Sequence, residues 1–503
     1  MSLSAERRLG QRVMREIYRD PDYLDDPVLG DYLQSIWQPL LAASRARGEL
    51  SAEMDERFAW QPFLVRERSV NAFALPGGYM GVHLGLVALV NSRDELASVL
   101  GHEMSHITQR HIARASSKQA RQAPLLMAAM ILSVLAASKS PNSANAANAA
   151  IAGSMAVGQQ TQLNFSRDME READRIGFSV MTGAGFDGRG FVSMFDKLGY
   201  ANRINDNGSF PYLRSHPLTT ERIADAQLRL AQPMDALAAP QAPSAEPLLM
   251  AARAKVLANP GVDVLRALVA DVSSSAAQAQ LEGQPRERRA AAYYGAIMAK
   301  LRLKDFAGMA ALQSRLAQLT APDAQAFNAS TLLAVEVALA QGDARRALLL
   351  LPPVGNASSA TRLADGGLAN VALAASLAMP SAPRAALLMA AQAHSMLGGS
   401  AELAEAASIL QTRVALAPQD ALAWQNLSAV YQRQGLMAHA VRADAEARVA
   451  ELDYSASQDR FKAAQAMLRN RPRGAAQDDI EASIIDTRTR QVALLLREQA
   501  LER

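Results

Sequence analysis

The chain has 503 residues, half of them apolar and a fifth charged, which is the balance of a globular protein with roughly two to four domains. Its 52 basic and 49 acidic residues leave a net charge of +3, and no basic run is interleaved with aromatic residues, so a nucleic-acid-binding protein is not indicated. Cysteine is absent, which excludes disulfides, thiolate metal sites and thiol nucleophiles.

The chain begins MSLSAERRLGQRVMREIYRD, where charges start at Glu6 and no apolar core of a signal peptide is visible. Two expectations follow: a cytoplasmic protein, or a mature chain whose signal peptide is not part of this sequence. No run of about 18 strongly apolar residues is present either, so a conventional membrane span is not predicted.

Short helices are predicted for residues 1 to about 50, broken at RDPDYLDDP. From Phe58 to Val90 the residues are of β-type, with hairpin punctuation at Pro76-Gly77-Gly78. Ser92, with Glu95 three residues later, is typical of a capping box, so a helix is predicted to begin there.

That helix carries the stretch GHEMSHITQRH. Residues four apart project from one helical face, so His102 and His106 can occupy two corners of a zinc tetrahedron. Glu103 lies about 100° further round, where it can serve as a base rather than a ligand. His111 is roughly 180° from His102 on a continuous helix, and we expect it to point away and to be structural.

A second charged helix is predicted at SRDMEREADRIG, with Ser166 as its N-cap. Glu170 and Asp174 share one face of it, while Asp168 and Glu172 lie on another. One carboxylate of the first pair can bind zinc while the other holds a ligand imidazole by its second nitrogen. Substitution of Glu172 by Gln is therefore predicted to leave zinc bound.

The segment from Gln122 to Ser166 has one charge, Lys139, among small and apolar residues. The interpretations that stay open are a buried helical hairpin, a mobile cover near the site, and a segment that contacts a membrane surface peripherally.

The stretch WQNLSAVYQRQGLMAHAVRADAEA has the spacing of a 34-residue tetratricopeptide unit. The positions that carry this spacing are Trp424, Leu427, Tyr431, Gly435, Ala440 and Ala447. Counting back 34 residues brings Ala406 to the place of Ala440. Generic helical hairpins are the alternative.

The motifs GHEMSHITQRH, SRDMEREADRIG and SHPLTTERI, which follow VNAFALPGGYMGVHLGLV, resemble the zinc peptidases that include the CAAX prenyl endopeptidases and the HtpX-type heat-shock proteases. With its repeat tail, the chain is most similar to the bacterial periplasmic branch of that family. The resemblance implies a mostly α fold with a small β-sheet. It implies a gluzincin-type zincin peptidase domain over residues 1–235, which begins with helices over 1–57. A linker over 236–249 and a tetratricopeptide-repeat solenoid over 250–503 would follow.

The resemblance also assigns the ligands. It implies one Zn²⁺ per chain, bound by His102, His106 and Glu170. Asp174 would hold one of these ligands in place without binding the metal. The strand before the Gly-Gly turn would pair with an extended substrate backbone, and its residues are Asn71, Ala72 and Phe73.

Glu103 is predicted to be the general base, and His216 and Arg222 are candidate donors to the oxyanion. His216 precedes Pro217 between two helices, and in the periplasmic branch a histidine in this context can occupy zinc. We therefore also expect His216 to be a fourth ligand that switches the enzyme off.

These residues predict a zinc endopeptidase that cleaves unfolded or misassembled proteins with low sequence selectivity. The resemblance implies periplasmic quality control and outer-membrane protein assembly, with the repeats recruiting an envelope-assembly protein complex. The competing hypothesis is a chaperone or scaffold whose peptidase site is latent. A cytoplasmic zincin is a further alternative, and no nucleic-acid partner is expected.

Overall fold

A computed structural model of the chain describes residues 1–116, 166–204, 210–231, 244–351, 383–469 and 476–501, which form two compact units, Met1–Phe327 and Asn328–Arg503. Within these ranges, no helix is both long and apolar enough to cross a membrane. Almost all of the segment predicted to be a hairpin or a cover lies outside the described residues, as do residues 232–243, which include part of the predicted linker.

The first unit contains one small sheet surrounded by helices. Its strands are β1 (Tyr23–Leu24), β2 (Gln61–Val65), β3 (Ala72–Leu75) and β4 (Tyr79–His83). Its helices are α1 (Leu3–Arg19), α2 (Pro27–Ala46), α3 (Ala52–Arg57), α4 (Leu84–Leu89), α5 (Arg93–Thr108), α6 (His111–Ser116), α7 (Arg167–Gly183), α8 (Arg189–Ile204), α9 (Tyr212–Ser215), α10 (Thr220–Ala231), α11 (Glu246–Leu257), α12 (Val262–Ser273), α13 (Ser275–Glu282), α14 (Arg286–Leu303) and α15 (Met309–Thr320). The predicted mostly α fold with a small sheet is confirmed.

The strand order is β1-β2-β4-β3, so β3 is an edge strand within the part of the chain that the structure describes. The pair β2–β4 is parallel, with Gln61 opposite Tyr79, whereas β3 and β4 are antiparallel, with Ala72 opposite Val82. The sheet and the helices beside it both carry fully buried side chains, among them Ile36, Trp37 and Leu40 of α2, Met80 of β4, and Leu96 and Leu100 of α5.

The predicted hairpin is confirmed, and its turn depends on glycine. Gly77 and Gly78 have φ of 76° and 85°, a region that side chains disfavour. A Cβ on Gly77 would also lie 2.8 Å from the Cα of Arg7. The predicted β-structure was wrong for Leu84–Leu89, which form α4, because a short buried apolar run has no periodicity that separates helix from strand.

The helix predicted from the capping box begins as expected. The Ser92 side chain accepts a hydrogen bond from the Glu95 backbone N–H at 3.1 Å, and Glu95 Oε2 accepts one from the Asn91 N–H at 2.6 Å. Lys197 Nζ and Ser193 Oγ of α8 both lie 2.6 Å from the same carboxylate. This network fixes where α5 starts and therefore which of its faces carries His102 and His106.

Residues 244–327 belong to the unit that contains the sheet. Helix α11 begins at Glu246, inside the predicted linker, so residues 246–249 are helical instead. Arg253 on α11 donates two hydrogen bonds to Asp26, at 2.8 and 2.7 Å, with both side chains buried. The division into peptidase and repeat domains at residues 235 and 250 stays a prediction.

Replacement of Arg253 by Met is expected to lower the free energy of unfolding of this unit by about 3–5 kcal/mol, because the Asp26 carboxylate would be left buried without its cation. Urea denaturation followed by circular dichroism measures the change. Arg266→Met removes an exposed ion pair with Asp263 and serves as the control, with no measurable effect expected. Equal shifts in the two variants would contradict the assignment.

The second unit is helical throughout its described residues. Its helices are α16 (Ala324–Ala340, mostly in this unit), α17 (Ala344–Leu350), α18 (Arg384–Leu397), α19 (Ser400–Leu416), α20 (Ala421–Arg433), α21 (Met437–Ala450), α22 (Tyr454–Arg469) and α23 (Ala476–Leu501). Trp424, Leu427 and Tyr431 are buried on α20, and Gly435 has a φ of 76° in the turn before α21. From α17 onward, successive described helices pack as neighbours, as in a helical solenoid.

Candidate metal centre

Two helices approach closely enough to share a site. Where α5 meets α7, a Cβ on Gly177 would lie 2.9 Å from the backbone nitrogen of His102, and one on Gly101 would lie 3.1 Å from the carbonyl oxygen of Gly177. Only hydrogen fits at these positions without displacing backbone. This contact brings Glu170 of α7 to the histidine face of α5.

Four buried side chains converge there: His102, His106, Glu170 and His216. Their mutual donor distances are 3.0 Å for His102 Nε2–His106 Nε2, 3.3 Å for His102 Nε2–His216 Nδ1, 3.0 Å for His216 Nδ1–Glu170 Oε1, 3.5 Å for His102 Nε2–Glu170 Oε2 and 3.5 Å for His106 Nε2–Glu170 Oε1. Residues more than a hundred positions apart in sequence thus present their donor atoms to one point.

These distances fit a zinc ion. In a tetrahedral site with bonds of about 2.0–2.1 Å, neighbouring donors lie roughly 3.3–3.4 Å apart, which is inside the observed range. The donor set of imidazoles and one carboxylate is also a zinc set. His102, His106 and Glu170 can therefore hold the ion, and His216 lies where a fourth ligand would be.

A buried guanidinium fixes the carboxylates of α7. Arg222 on α10 donates two hydrogen bonds to Asp174, at 2.6 and 2.8 Å, and its Nη1 lies 2.9 Å from Glu170 Oε2. Asp174 Oδ1 in turn lies 2.9 Å from His102 Nδ1. Arg222 also donates a hydrogen bond to the carbonyl of Pro217 at 2.8 Å. Arg222, which was predicted to be an oxyanion donor, is therefore in contact with the groups that orient the ligands.

Glu103 lies at the centre of the site and is fully buried. Its Oε2 accepts a hydrogen bond from the Ala74 backbone N–H at 3.1 Å, and its Oε1 lies 3.4 Å from His216 Nε2. Tyr212, which the sequence did not indicate, lies close enough to this carboxylate to help lower its pKa. The Tyr212 ring stacks on His216 with centroids 4.6 Å apart.

Burial and neighbouring charges set the protonation states. Burial raises the pKa of Glu103. Burial would also raise the pKa of Glu170, but the charges of His216 and His102 outweigh it and hold that pKa below its usual range. Burial lowers the pKa of His106, whereas for His102 two neighbouring carboxylates overcome burial and raise the pKa to about 10. His106 and Glu170 are thus held in their ligating forms, while His102 must first release a proton.

His111 does not point away, and that prediction was wrong. Helix α5 ends at Thr108, Arg110 has a φ of 54°, and α6 begins at His111, so the rotation expected of one continuous helix does not apply. The break places His111 Nδ1 2.8 Å from His106 Nδ1. Glu172, which lies on a different face of α7 from Glu170 and Asp174, has its Oε2 3.0 Å from His111 Nε2.

The predicted substrate strand lies beside Glu103. Ala72 and Phe73 belong to β3, whereas Asn71 precedes it and accepts a hydrogen bond from the His83 backbone N–H on β4 at 3.0 Å. Backbone groups of a strand alternate between its two neighbours, so the Ala74 N–H, which faces Glu103, belongs to the outer edge. The sequence had no signal for Ala74 itself.

The part of the chain that is similar to known proteins contains this site. Residues 32–230 match the model of peptidase family M48. The beta-barrel assembly-enhancing protease of Escherichia coli is 31% identical over 232 residues, and a Vibrio cholerae protein that carries this name provisionally is 33% identical over the same length. Mitochondrial metalloendopeptidase OMA1 of Arabidopsis thaliana is 34% identical over 167 residues, which are 33% of this chain and 31% of that protein.

Both bacterial alignments cover 46% of this chain and 45% of the relative, so the chain spans less than half the length of these relatives. The matched region contains α5, α7 and the loop of His216, which together supply all four converging donors. Residues 32–230, the region that supplies these donors, are therefore the part of the chain that is similar to peptidase family M48.

Proposed function

We propose that the chain is a zinc-dependent endopeptidase in which His102, His106 and Glu170 bind the metal and Glu103 is the general base. The observation that carries this proposal is the convergence of three zinc-type donors, all buried, beside a carboxylate that does not belong to the set. The M48 match over the same residues supports it.

The reaction follows from the side chains. His102, His106 and Glu170 would hold the zinc ion, which would supply Lewis acidity to the scissile carbonyl and to the attacking water, whose pKa it would lower to roughly 7. Glu103 accepts the proton of the attacking water, helped by its raised pKa, and delivers it to the leaving amine. Arg222 holds Glu170 and Asp174 in place, which leaves His216 as the better placed of the two predicted oxyanion donors.

The edge of β3 supports an extended substrate. Because the Ala74 N–H faces outward, the period of the strand gives Ala72 the same orientation. A peptide that pairs with this edge is held mainly by backbone hydrogen bonds, so sequence selectivity should be low. Only a segment without its own secondary structure can bind in this way, which favours unfolded or misassembled proteins as substrates.

The proposal is tested by cleavage of casein, an unfolded protein. The purified chain should lose activity on removal of metal by a chelator and regain it when one equivalent of Zn²⁺ is returned. Cleavage that persists in the chelated protein, or zinc that binds without restoring cleavage, would overturn the proposal.

His216 supports a resting state in which the site is closed. Its Nδ1 lies 3.0 Å from Glu170 Oε1 and 3.3 Å from His102 Nε2, in the position that a catalytic water requires. We infer that His216 acts as a latch, a role that the sequence resemblance also implied. A latch limits indiscriminate cleavage in a compartment that contains unfolded proteins.

Replacement of His216 by Ala is then expected to raise the basal rate of casein cleavage severalfold, with zinc retained by the other three ligands. Initial rates at equal zinc content measure the effect. The double variant Glu103→Gln/His216→Ala should be inactive, which assigns the gain to this site. A fall of about 10²–10³-fold would instead indicate an oxyanion donor and contradict the latch.

The physiological setting is proposed from the relatives. The name of the bacterial relatives refers to β-barrel assembly. The motifs of this chain also resemble the periplasmic branch of the family, and both observations agree with a role in outer-membrane protein quality control. The second unit, as a tetratricopeptide array, would recruit an envelope-assembly complex. A cavity of about 520 Å³ in that unit is lined by residues such as Tyr431, Arg442 and Glu481, and it offers a surface for such a partner.

The alternative is a chaperone or scaffold whose peptidase site stays latent, and the position of His216 among the ligand donors favours it. The two hypotheses separate in the casein assay with the His216→Ala variant. Cleavage that appears on removal of this side chain indicates a peptidase. A site that stays latent is indicated if the zinc-loaded wild type and the zinc-loaded variant are both inactive.

A further inference from the structure

A chain of polar contacts leads from the candidate metal centre to its periphery. His106 Nδ1 lies 2.8 Å from His111 Nδ1, and His111 Nε2 lies 3.0 Å from Glu172 Oε2. Arg114 Nη1 lies 2.8 Å from the same carboxylate oxygen. The His106 and His111 side chains are completely buried, whereas Glu172 is 30% exposed.

The proton positions along this chain follow from the ligand role of His106. If Nε2 of this imidazole uses its lone pair on a metal ion, the ring proton must be on Nδ1. His111 Nδ1 faces it at 2.8 Å and is then the acceptor of that proton's hydrogen bond. His111 therefore carries its own proton on Nε2, which donates to Glu172. Each contact has one donor and one acceptor, so the whole arrangement is self-consistent.

We propose that His111 is a positioning residue for His106, that it fixes the tautomer and ring orientation in which His106 binds zinc, and that Glu172 holds His111 in the matching orientation. A ligand imidazole is commonly oriented by an acceptor on its second nitrogen, usually a carboxylate or carbonyl. Here a second imidazole is the acceptor, and the carboxylate lies one step further out. Asp174 contacts the second nitrogen of His102 directly, so the two histidine ligands are supported differently.

The break between α5 and α6 is what makes this contact. The left-handed Arg110 ends the helix and turns the chain so that His111 faces the residue five positions before it. A non-glycine residue at a φ of 54° is uncommon and carries a conformational cost. The strained Arg110 has a functional reason, because a continuous helix would place His111 on the side opposite His102.

This inference rests on the proposed function, since it assumes that His106 binds zinc. The test measures the affinity of the full chain for Zn²⁺ by competition with a chromogenic chelator, together with the visible spectrum of the Co²⁺-substituted protein. His111→Ala removes the acceptor and is expected to lower zinc affinity about 10–100-fold and to alter the Co²⁺ spectrum. His111→Asn places an amide oxygen near the former Nδ1, so it should recover part of the loss.

Two further variants complete the series. Glu172→Ala acts only through His111 and, because Glu172 is partly exposed, it should fold even if His111→Ala does not. It should lower zinc affinity less than His111→Ala, whereas Glu172→Gln keeps an acceptor for His111 Nε2 and should leave the affinity close to that of the wild type. Asp168→Asn on the same helix changes a carboxylate that pairs with Arg171, and its affinity should equal that of the wild type.

The outcomes separate the two claims. If the wild type binds no zinc, the proposed function fails. If the wild type binds zinc but folded His111→Ala and Glu172→Ala bind it within about twofold of the wild-type affinity and leave the Co²⁺ spectrum unchanged, the positioning role fails alone. Equal losses in His111→Ala and His111→Asn would also contradict the assigned acceptor.

Discussion

Replacement of Glu103 by Gln is expected to reduce casein cleavage by about 10²–10⁴-fold while one zinc ion per chain stays bound. Glutamine has nearly the same shape but cannot accept the proton of the attacking water. Its amide oxygen can still accept the hydrogen bond that the Ala74 N–H donates to Glu103, so the neighbouring strand should keep its position. Cleavage rates and metal content are measured on the same preparation.

Asp94→Asn, at the start of the same helix and outside the site, is the matched control and should retain wild-type rates. Wild-type cleavage by Glu103→Gln would show that another group is the base. Loss of zinc from that variant would mean that Glu103 belongs to the ligand set, against the geometry in which it faces Ala74 and His216.

Replacement of Glu170 by Gln should reduce zinc affinity by more than the roughly 10–100-fold typical of groups that only support a ligand. The change removes the one anionic donor from the set. It also leaves Arg222 Nη1 beside a neutral amide, because that nitrogen lies 2.9 Å from Glu170 Oε2. Equilibrium dialysis against buffered Zn²⁺ measures the affinity, and cleavage at subsaturating zinc should fall with it.

Asp168→Asn, two residues earlier on α7, is again the control. Wild-type zinc affinity in Glu170→Gln would mean that a different side chain is the third ligand, with Asp174 the first to test. Equal losses in both variants would point to a general effect of charge on this helix rather than to coordination.

The sequence was most informative where a local rule decides the structure. The capping box of Ser92 and Glu95 fixed the start of α5, and the spacing of four then placed His102 and His106 on one face. Likewise, Glu170 and Asp174 share the face of α7 that meets α5, since both lie within 3.5 Å of His102.

The residues that sequence reasoning missed depend on geometry that no local rule supplies. The role of His111 follows from the left-handed Arg110, and no glycine marks that break in the sequence. Tyr212 meets Glu103 only because its backbone N–H donates a hydrogen bond to the carbonyl of Val70, at 3.3 Å, beside the edge strand. The approach of His216 likewise depends on tertiary packing, and only the resemblance to known peptidases indicated it.

The most direct test of the account is anomalous diffraction at the zinc absorption edge from crystals of the purified, zinc-loaded chain. We expect one peak per chain, about 2.0–2.2 Å from Nε2 of His102, Nε2 of His106 and a carboxylate oxygen of Glu170. A zinc-loaded protein with no peak at this position, or with its peak bound by other residues, would contradict the assignment of the metal centre.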